Sequence, residues 1–289
     1  MKRDDKQAFA FLLPTALIMI GLVFYPSIKT FFYSLQEYKL TDPENLHFIG
    51  FENYKEILKS QAFQQAVVNT LIVMVVVLVI GFLFSIVVAL ILNGKTKLNG
   101  FLTAVAIIPW ALPPIVNGQV WKFIFYSDFG LMNKILYKLG MIHEPIKWLN
   151  TRYGTLIIVG VIVAWRVIPF CAVVFLANIQ SIPKEIYEAA EVDGANSKQI
   201  FINIIMPLLM PSVAIVLTNL TMSAINVFDE IAALVGFRTT GEPLLIYNYT
   251  QTFSFLNFGF GSAITYIIMI SSGVFGYFYI RSINRGGEL

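Results

Sequence analysis

Six apolar runs decide what this chain can fold into. They cover about 9–33, 66–93, 101–126, 154–178, 208–235 and 258–281. Each is long enough to cross a bilayer, which takes roughly 20 residues at about 1.5 Å of rise apiece. Inside hydrocarbon every backbone N–H and C=O must bond within the chain, so the runs are expected to be helices. The expectation is an all-α polytopic membrane protein of 289 residues with six transmembrane helices in one domain, 1–289. Composition agrees. The chain is 57% hydrophobic with a mean hydropathy of +0.73, and only 13% of residues are charged, about half the share of a soluble domain. Lys2, Arg3 and Lys6 precede the first run, but the run is too long for a signal peptide and lacks a small-x-small cleavage site, so it reads as a retained span.

Charge and reactive residues exclude several functions. The net charge is +3 and the basic residues are scattered, so no nucleic-acid partner is expected. The single cysteine, Cys171, lies inside an apolar run and reads as a packing residue. His47 and His143 stand in different loops, so no metal site is expected. Gly94-Lys-Thr96 follows a membrane helix and has Ala89 where a phosphate-binding loop needs glycine, so it reads as a basic turn. No catalytic residues are assigned and no cofactor is expected on this chain.

Six spans place both termini on one side. Termini in the cytoplasm would put nine basic residues inside and ten outside, on longer outer loops, which favours that orientation only slightly. The turn Asn93–Lys97 is basic against two span ends, as a cytoplasmic loop would be. Trp121, Tyr126, Tyr137, Trp148 and Tyr153 are expected to form an aromatic belt, and Phe51–Leu58 a short surface helix.

The polar stretch between the fourth and fifth runs, about 179–207, is the most informative. Pro183 suits a helix start, and Lys184 and Glu188 are spaced to pair along one face. Ala189 and Ala190 keep that helix thin. Gly194 predicts its stop, and Asn196 with Gln199 predicts a capping box for a second short helix. Pro207 and Pro211 are expected to bend the entry to the fifth span. By itself this is equally an ordinary helix–turn–helix connection.

Glu188-Ala-Ala-x-x-Asp-Gly-Ala195, with Phe201, Ile204 and Met206-Pro207 downstream, resembles the coupling loop of permease subunits of binding-protein-dependent ATP-binding-cassette importers. Phe51-Glu-Asn-Tyr54, Pro109-Trp-Ala-Leu-Pro-Pro114 and Phe228-Asp-x-Ile231 extend the resemblance to the sugar-type permeases, on the side of the first permease subunit of maltose and glycerol-phosphate transporters. The resemblance implies the type I ABC importer permease fold and a bacterial or archaeal inner-membrane location with both termini cytoplasmic. It also implies a second homologous permease subunit, two ATPase subunits that bind ATP and Mg, and an extracytoplasmic solute-binding protein. Glu188, Ala189, Ala190, Asp193 and Gly194 would couple to the ATPase, with Glu188 facing a basic residue there. The loop Leu234–Pro243 departs from the family's glycine-rich turn.

Polar residues inside spans are costly and so mark candidate pathways. Asn219, Ser223, Asn226 and Glu230 recur at i, i+4, i+7 and i+11, the spacing of one helix face. Their amides and hydroxyl could bond a polyhydroxyl solute, or could form a seam between spans. Arg166, in the fourth run, needs a partner, for which Asp229 and Glu230 are candidates. Pro169 is expected to kink the helix beside it. Phe170 could stack on a sugar ring. The expected function is permeation of a small polar solute, a sugar, oligosaccharide or sugar-phosphate-like molecule, within membrane lipid. Alternatives are an importer of an amino acid or polyamine, and a secondary transporter or channel without an ATPase.

Overall fold

A computed structural model describes residues 3–94, 97–237 and 241–286, with side chains described only within 11–281. Lys2, Lys95, Thr96 and Arg238–Thr240, and the side chains of Arg3, Lys6 and Arg285, lie outside the described residues. The helices in order are α1 Arg3–Met19, α2 Tyr25–Ser34, α3 Glu52–Lys59, α4 Gln61–Leu92, α5 Asn99–Ala111, α6 Pro114–Ile124, α7 Leu131–Lys138 and α8 Arg152–Ser181. They continue with α9 Lys184–Val192, α10 Ser197–Ile200, α11 Met206–Leu208, α12 Met210–Ile225, α13 Asp229–Val235, α14 Leu244–Tyr249 and α15 Phe258–Gly286. Three five-residue π-helical turns interrupt the series, at Ile20–Phe24, Phe201–Ile205 and Thr250–Ser254. The sheet is a two-stranded antiparallel hairpin, β1 Gln36–Glu37 with β2 His47–Phe48.

Among the described residues four segments are long and apolar enough to cross a membrane: Phe11–Ser34, Gln61–Leu92, Arg152–Ser181 and Phe258–Arg281. Two bent helix pairs raise the number to six. The third run, expected as one helix over 101–126, is instead α5 and α6 at 95°. Leu112 precedes Pro113 and is held extended, and Pro114 opens the next helix. The fifth run is also divided. α10 and α11, joined through the π turn, meet α12 at 71°, beside Pro207 and Pro211. α12 stops at Ile225, and α13 is a separate helix. α8, by contrast, continues through Pro169 as one helix.

The chain forms two compact units. The first comprises residues 1–64 and 247–269. In it Asn53, buried on α3, donates to the carbonyls of Ser34 and Gln36, both at 2.9 Å, tying the end of α2 to the hairpin. The Tyr266 hydroxyl donates to the Ser27 carbonyl at 2.7 Å. No residue in the most apolar stretch of Phe11–Ser34 is buried.

The second unit comprises residues 65–246 and 270–289. Its core is apolar, with Val73, Val77, Leu156, Ile162, Phe175, Leu209, Leu220 and Ile231 almost wholly buried. Glycines let its helices approach closely: a Cβ on Gly160 would stand 2.6 Å from the Val76 side chain. Small residues at such contacts are how helices pack in lipid, where water supplies no force between them.

Candidate functional site

Two features of the second unit hold the candidate residues: a charged junction of α6, α8 and α13, and the helix that follows α8. At the junction Arg166 Nε lies 2.8 Å from Glu230 Oε1, with side-chain exposures of 19% and 3%. Glu230 is therefore the acid that neutralises Arg166, and Asp229 does not form the pair. Gly118 makes room for it. A Cβ there would stand 2.7 Å from the Glu230 carbonyl oxygen and 2.8 Å from Ala233 Cβ. Lys122 Nζ donates to the Ala233 carbonyl at 3.3 Å, and Trp121 meets Trp165 edge to face. Asn117, with no exposed surface, donates to the Ile162 carbonyl at 3.4 Å, while its Oδ1 has no partner among the described residues.

The expected four-residue stripe is corrected here. Asn219 and Ser223 lie on α12, Asn226 caps its end, and Glu230 belongs to α13. The four therefore do not share one helix face. The helix stops because Phe228 takes a non-helical conformation (φ −139°), and the acids Asp229 and Glu230 then suit the first turn of a new helix. Asn219 Oδ1 lies 3.8 Å from Cys171 Sγ, linking α12 to α8. Asn226 is exposed and donates to the Met222 carbonyl at 2.9 Å. Phe170 stacks on Trp110, with centroids 6.0 Å apart and planes 22° apart.

The aromatic belt is corrected in part. Trp121 and Trp148 pack inward, Trp121 stacked on Phe125 and Trp148 donating from Nε1 to Asn133 Oδ1 at 2.8 Å. Tyr126, Tyr137 and Tyr153 are exposed.

The helix after α8 is built by its ends. Pro183 is the N-cap of α9. At the other end Ala195 N–H donates to Ala190 O at 2.9 Å and Gly194 N–H to Glu191 O at 3.0 Å. This paired 6→1 and 5→2 closure needs a left-handed residue, and Gly194 supplies it at φ +78°. Asn196 and Gln199 then form the reciprocal capping box of α10, at 2.8 and 3.0 Å. Glu188, Ala189, Asp193 and Gly194 are exposed, and Ala190 is buried. The expected Lys184–Glu188 ion pair is not present among the described residues. Both side chains instead line a cavity of about 490 Å³ with Asn93, Gln180, Tyr187 and Glu191. Burial raises the Tyr187 hydroxyl above its ordinary pKa.

Residues 81–286 match the model of the family described as the binding-protein-dependent transport system inner membrane component. The matched range holds both the Arg166–Glu230 junction and α9. The chain belongs to that family. It is 32% identical over 276 residues to the trehalose/maltose transport system permease protein MalF of Thermococcus litoralis, covering 93% of this chain and 92% of that one. It is 30% identical to the sulfoquinovosyl glycerol transport system permease protein SmoG of Agrobacterium fabrum, with 97% and 91% covered. Among solved structures it resembles a chain of a bacterial ABC transporter that imports the polysaccharide alginate. There the TM-score is 0.82, the identity 23%, and 98% and 96% of the two chains are covered, a likeness of fold.

In this inner membrane component the sequence reading missed Asn117, Gly118 and Lys122. A glycine beside an asparagine in an apolar run was the available signal. It missed a second cluster too. Asn69 accepts from Arg152 Nε at 2.8 Å and donates to the Glu242 carbonyl at 2.7 Å, and the Leu244 N–H donates to Thr70 Oγ1 at 2.8 Å. Glu242 is buried, its Oε1 has no partner among the described residues, and burial raises its pKa. Among the described residues no three His, Cys, Asp or Glu side chains gather as a metal site.

Proposed function

We propose that this permease forms half of the membrane pathway of an ATP-driven importer for a sugar, oligosaccharide or sugar-phosphate-like solute. The single domain 1–289 would span the inner membrane six times with both termini cytoplasmic, and a second homologous permease subunit would complete the path. Two ATPase subunits would carry ATP and Mg, and an extracytoplasmic binding protein would deliver the solute. The observation that carries this reading is α9: short, opened by Pro183, closed at its C-terminus by the Gly194 and Ala195 amides, seated on the core by Ala190 and Tyr187, and exposed at Glu188, Ala189, Asp193 and Gly194. A short helix anchored on one side and exposed on the other suits a lever seated in a partner. The sugar-transport names of the relatives support the solute class. Closure of the ATPase dimer would move α9, and α8 and α12 would pass the motion to the solute path between the two permease subunits. Asn219, Ser223, Asn226 and Phe170 would meet solute there, while the Arg166–Glu230 pair holds α8 to α13.

Reconstitution with the partner subunits and binding protein tests the reading. A sugar panel should contain a solute that stimulates ATP hydrolysis. Stimulation only by amino acids or polyamines, or no co-purifying ATPase, overturns it. Asn226→Leu should keep assembly and weaken solute-stimulated hydrolysis. A hydrogen bond to solute contributes about 0.5–1.5 kcal/mol net, about two- to tenfold in affinity. Unchanged solute preference in an assembled Asn226→Leu complex removes Asn226 from the path.

A further inference from the structure

The segment between α6 and α8 has a surface that the transport reading does not use. Asn133 fixes it from inside. Buried on α7, Asn133 donates to the carbonyls of Ser127 and Ile146 at 2.8 and 3.0 Å and accepts from Trp148 Nε1. α7 is thereby held by one face, with Met132 packed on the core beside Asn133, while several side chains on its other face are exposed. Leu131 is 55% exposed, Ile135 44%, Leu139 67% and Met141 68%. Next to them is a groove of about 440 Å³ whose walls include Leu131, Ile135, Ile142, Lys134 and Lys138. Asp128 also lines it, with Oδ1 already accepting from Ser127 Oγ at 3.0 Å.

We propose that this groove binds an anionic phospholipid of the surrounding bilayer. An acyl chain would lie against Leu131, Ile135 and Ile142, with the phosphate at Lys134 and Lys138. Topology places the segment at a membrane face, because Arg152 begins the spanning helix α8 a few residues later. That face is opposite to α9, which follows the other end of α8. A short helix with exposed leucine and isoleucine beside lysines is the composition of an element lying in the headgroup region. The lysine stems can cover apolar surface while their ammonium groups reach phosphate. Single exposed apolar side chains are ordinary on any surface. Four on one rigid segment, beside an open groove and two cations, call for an occupant that is both apolar and anionic. The membrane beside α8 supplies one without any further partner.

The test uses the full-length chain purified with its co-expressed partner subunits and placed in lipid nanodiscs. A bimane probe on Leu139→Cys, in a Cys171→Ala background, reports the surroundings of α7. Cys171 is fully buried, so the native background serves as a second host should the alanine variant fail to fold. Brominated phosphatidylglycerol should quench the probe at a lower mole fraction than brominated phosphatidylcholine, and iodide should not quench it. Lys134→Gln should weaken the preference for phosphatidylglycerol about fivefold, and Lys134→Gln with Lys138→Gln about thirtyfold. Equal quenching by both lipids, unchanged in the double variant, overturns the headgroup site. Quenching by iodide with no effect of either lipid overturns membrane contact. Iodide quenching that disappears only when the solute-binding protein is added assigns the surface to that protein instead.

Discussion

The Arg166–Glu230 junction and the helix α9 lie along and just beyond the same long helix, α8, and they treat charge in opposite ways. At the junction the buried carboxylate of Glu230 is paired inside the chain: it is 3% exposed and 2.8 Å from the Arg166 guanidinium. On α9, Lys184, Glu188 and Glu191 stand at the surface with no ion pair among the described residues. The difference follows from the medium. An unpaired charge in hydrocarbon is costly enough that the fold must neutralise it locally. In water an exposed pair contributes about 0–1 kcal/mol, so nothing compels Lys184 and Glu188 to meet. The junction is complete in itself, whereas α9 keeps its charges available to another surface.

The comparison predicts that changes at the junction cost stability and changes on α9 cost coupling. The largest effect is expected from Glu230→Leu, which leaves Arg166 uncompensated. Breaking such a pair costs about 3–5 kcal/mol, whereas replacing both members by apolar residues is often neutral. Thermal denaturation of the purified complex should show a large loss for Glu230→Leu and recovery in Arg166→Met with Glu230→Leu. A double variant as unstable as the single one would show that the pair does more than hold helices together. Next comes Gly118→Ala, whose Cβ would collide with the Glu230 backbone; overpacking of this kind costs about 1–3 kcal/mol. Gly273→Ala is its control, since nothing lies within 4 Å of a Cβ there. Equal melting temperatures for the two would break the argument that α6 and α13 are tightly fitted.

Gly194→Ala should cost less, about 1–2 kcal/mol of local strain at φ +78°, and should act on transport more than on the fold. Membrane insertion should persist while solute uptake falls. Gly194→Asn, which tolerates the left-handed conformation, should retain uptake. Loss of expression in Gly194→Ala would place α9 in the same structural category as the junction. The smallest effect concerns Glu242, a buried carboxyl without the guanidinium that Glu230 has. Burial raises its folded pKa above the unfolded value, so the folded state holds the proton more tightly. The stability it contributes is complete below the unfolded pKa and is lost as pH rises through the folded one. Glu242→Gln should remove that slope and melt higher at neutral pH; an unchanged pH profile refutes the assignment.

These sites also show what a one-dimensional reading can reach. The ends of α9 and α10 were legible because Gly194, Asn196 and Gln199 act on neighbours within a few residues. The partner of Arg166 was narrowed to two acids and no further, since choosing between Asp229 and Glu230 depends on how α13 packs against α8. The stripe through Asn219, Ser223, Asn226 and Glu230 failed because hydrophobicity runs unbroken across 208–235 while the backbone does not. The acids at 229 and 230 are a helix-start signal that the apolar run masked. Leu112-Pro113-Pro114 likewise announces a break, but a span-length window averages over it. Glu242 left no pattern, because a single polar residue acquires meaning only from its enclosure.

The π turn Phe201–Ile205 separates the capped α10 from the fifth span. A wider turn accommodates an extra residue in the winding of the helix, and each residue advances a helix by roughly 100°. Deleting one residue from this turn would let it close to an ordinary α turn and leave the facing of the following helix, relative to α10, nearly unchanged, whereas the same deletion inside α12 would rotate everything after it by about that angle. A length difference of one residue is thus tolerated at this turn and not farther along the span. Two related permeases that differ by one residue here, aligned with the gap placed a few positions away, would have the helix faces between gap and turn compared out of phase.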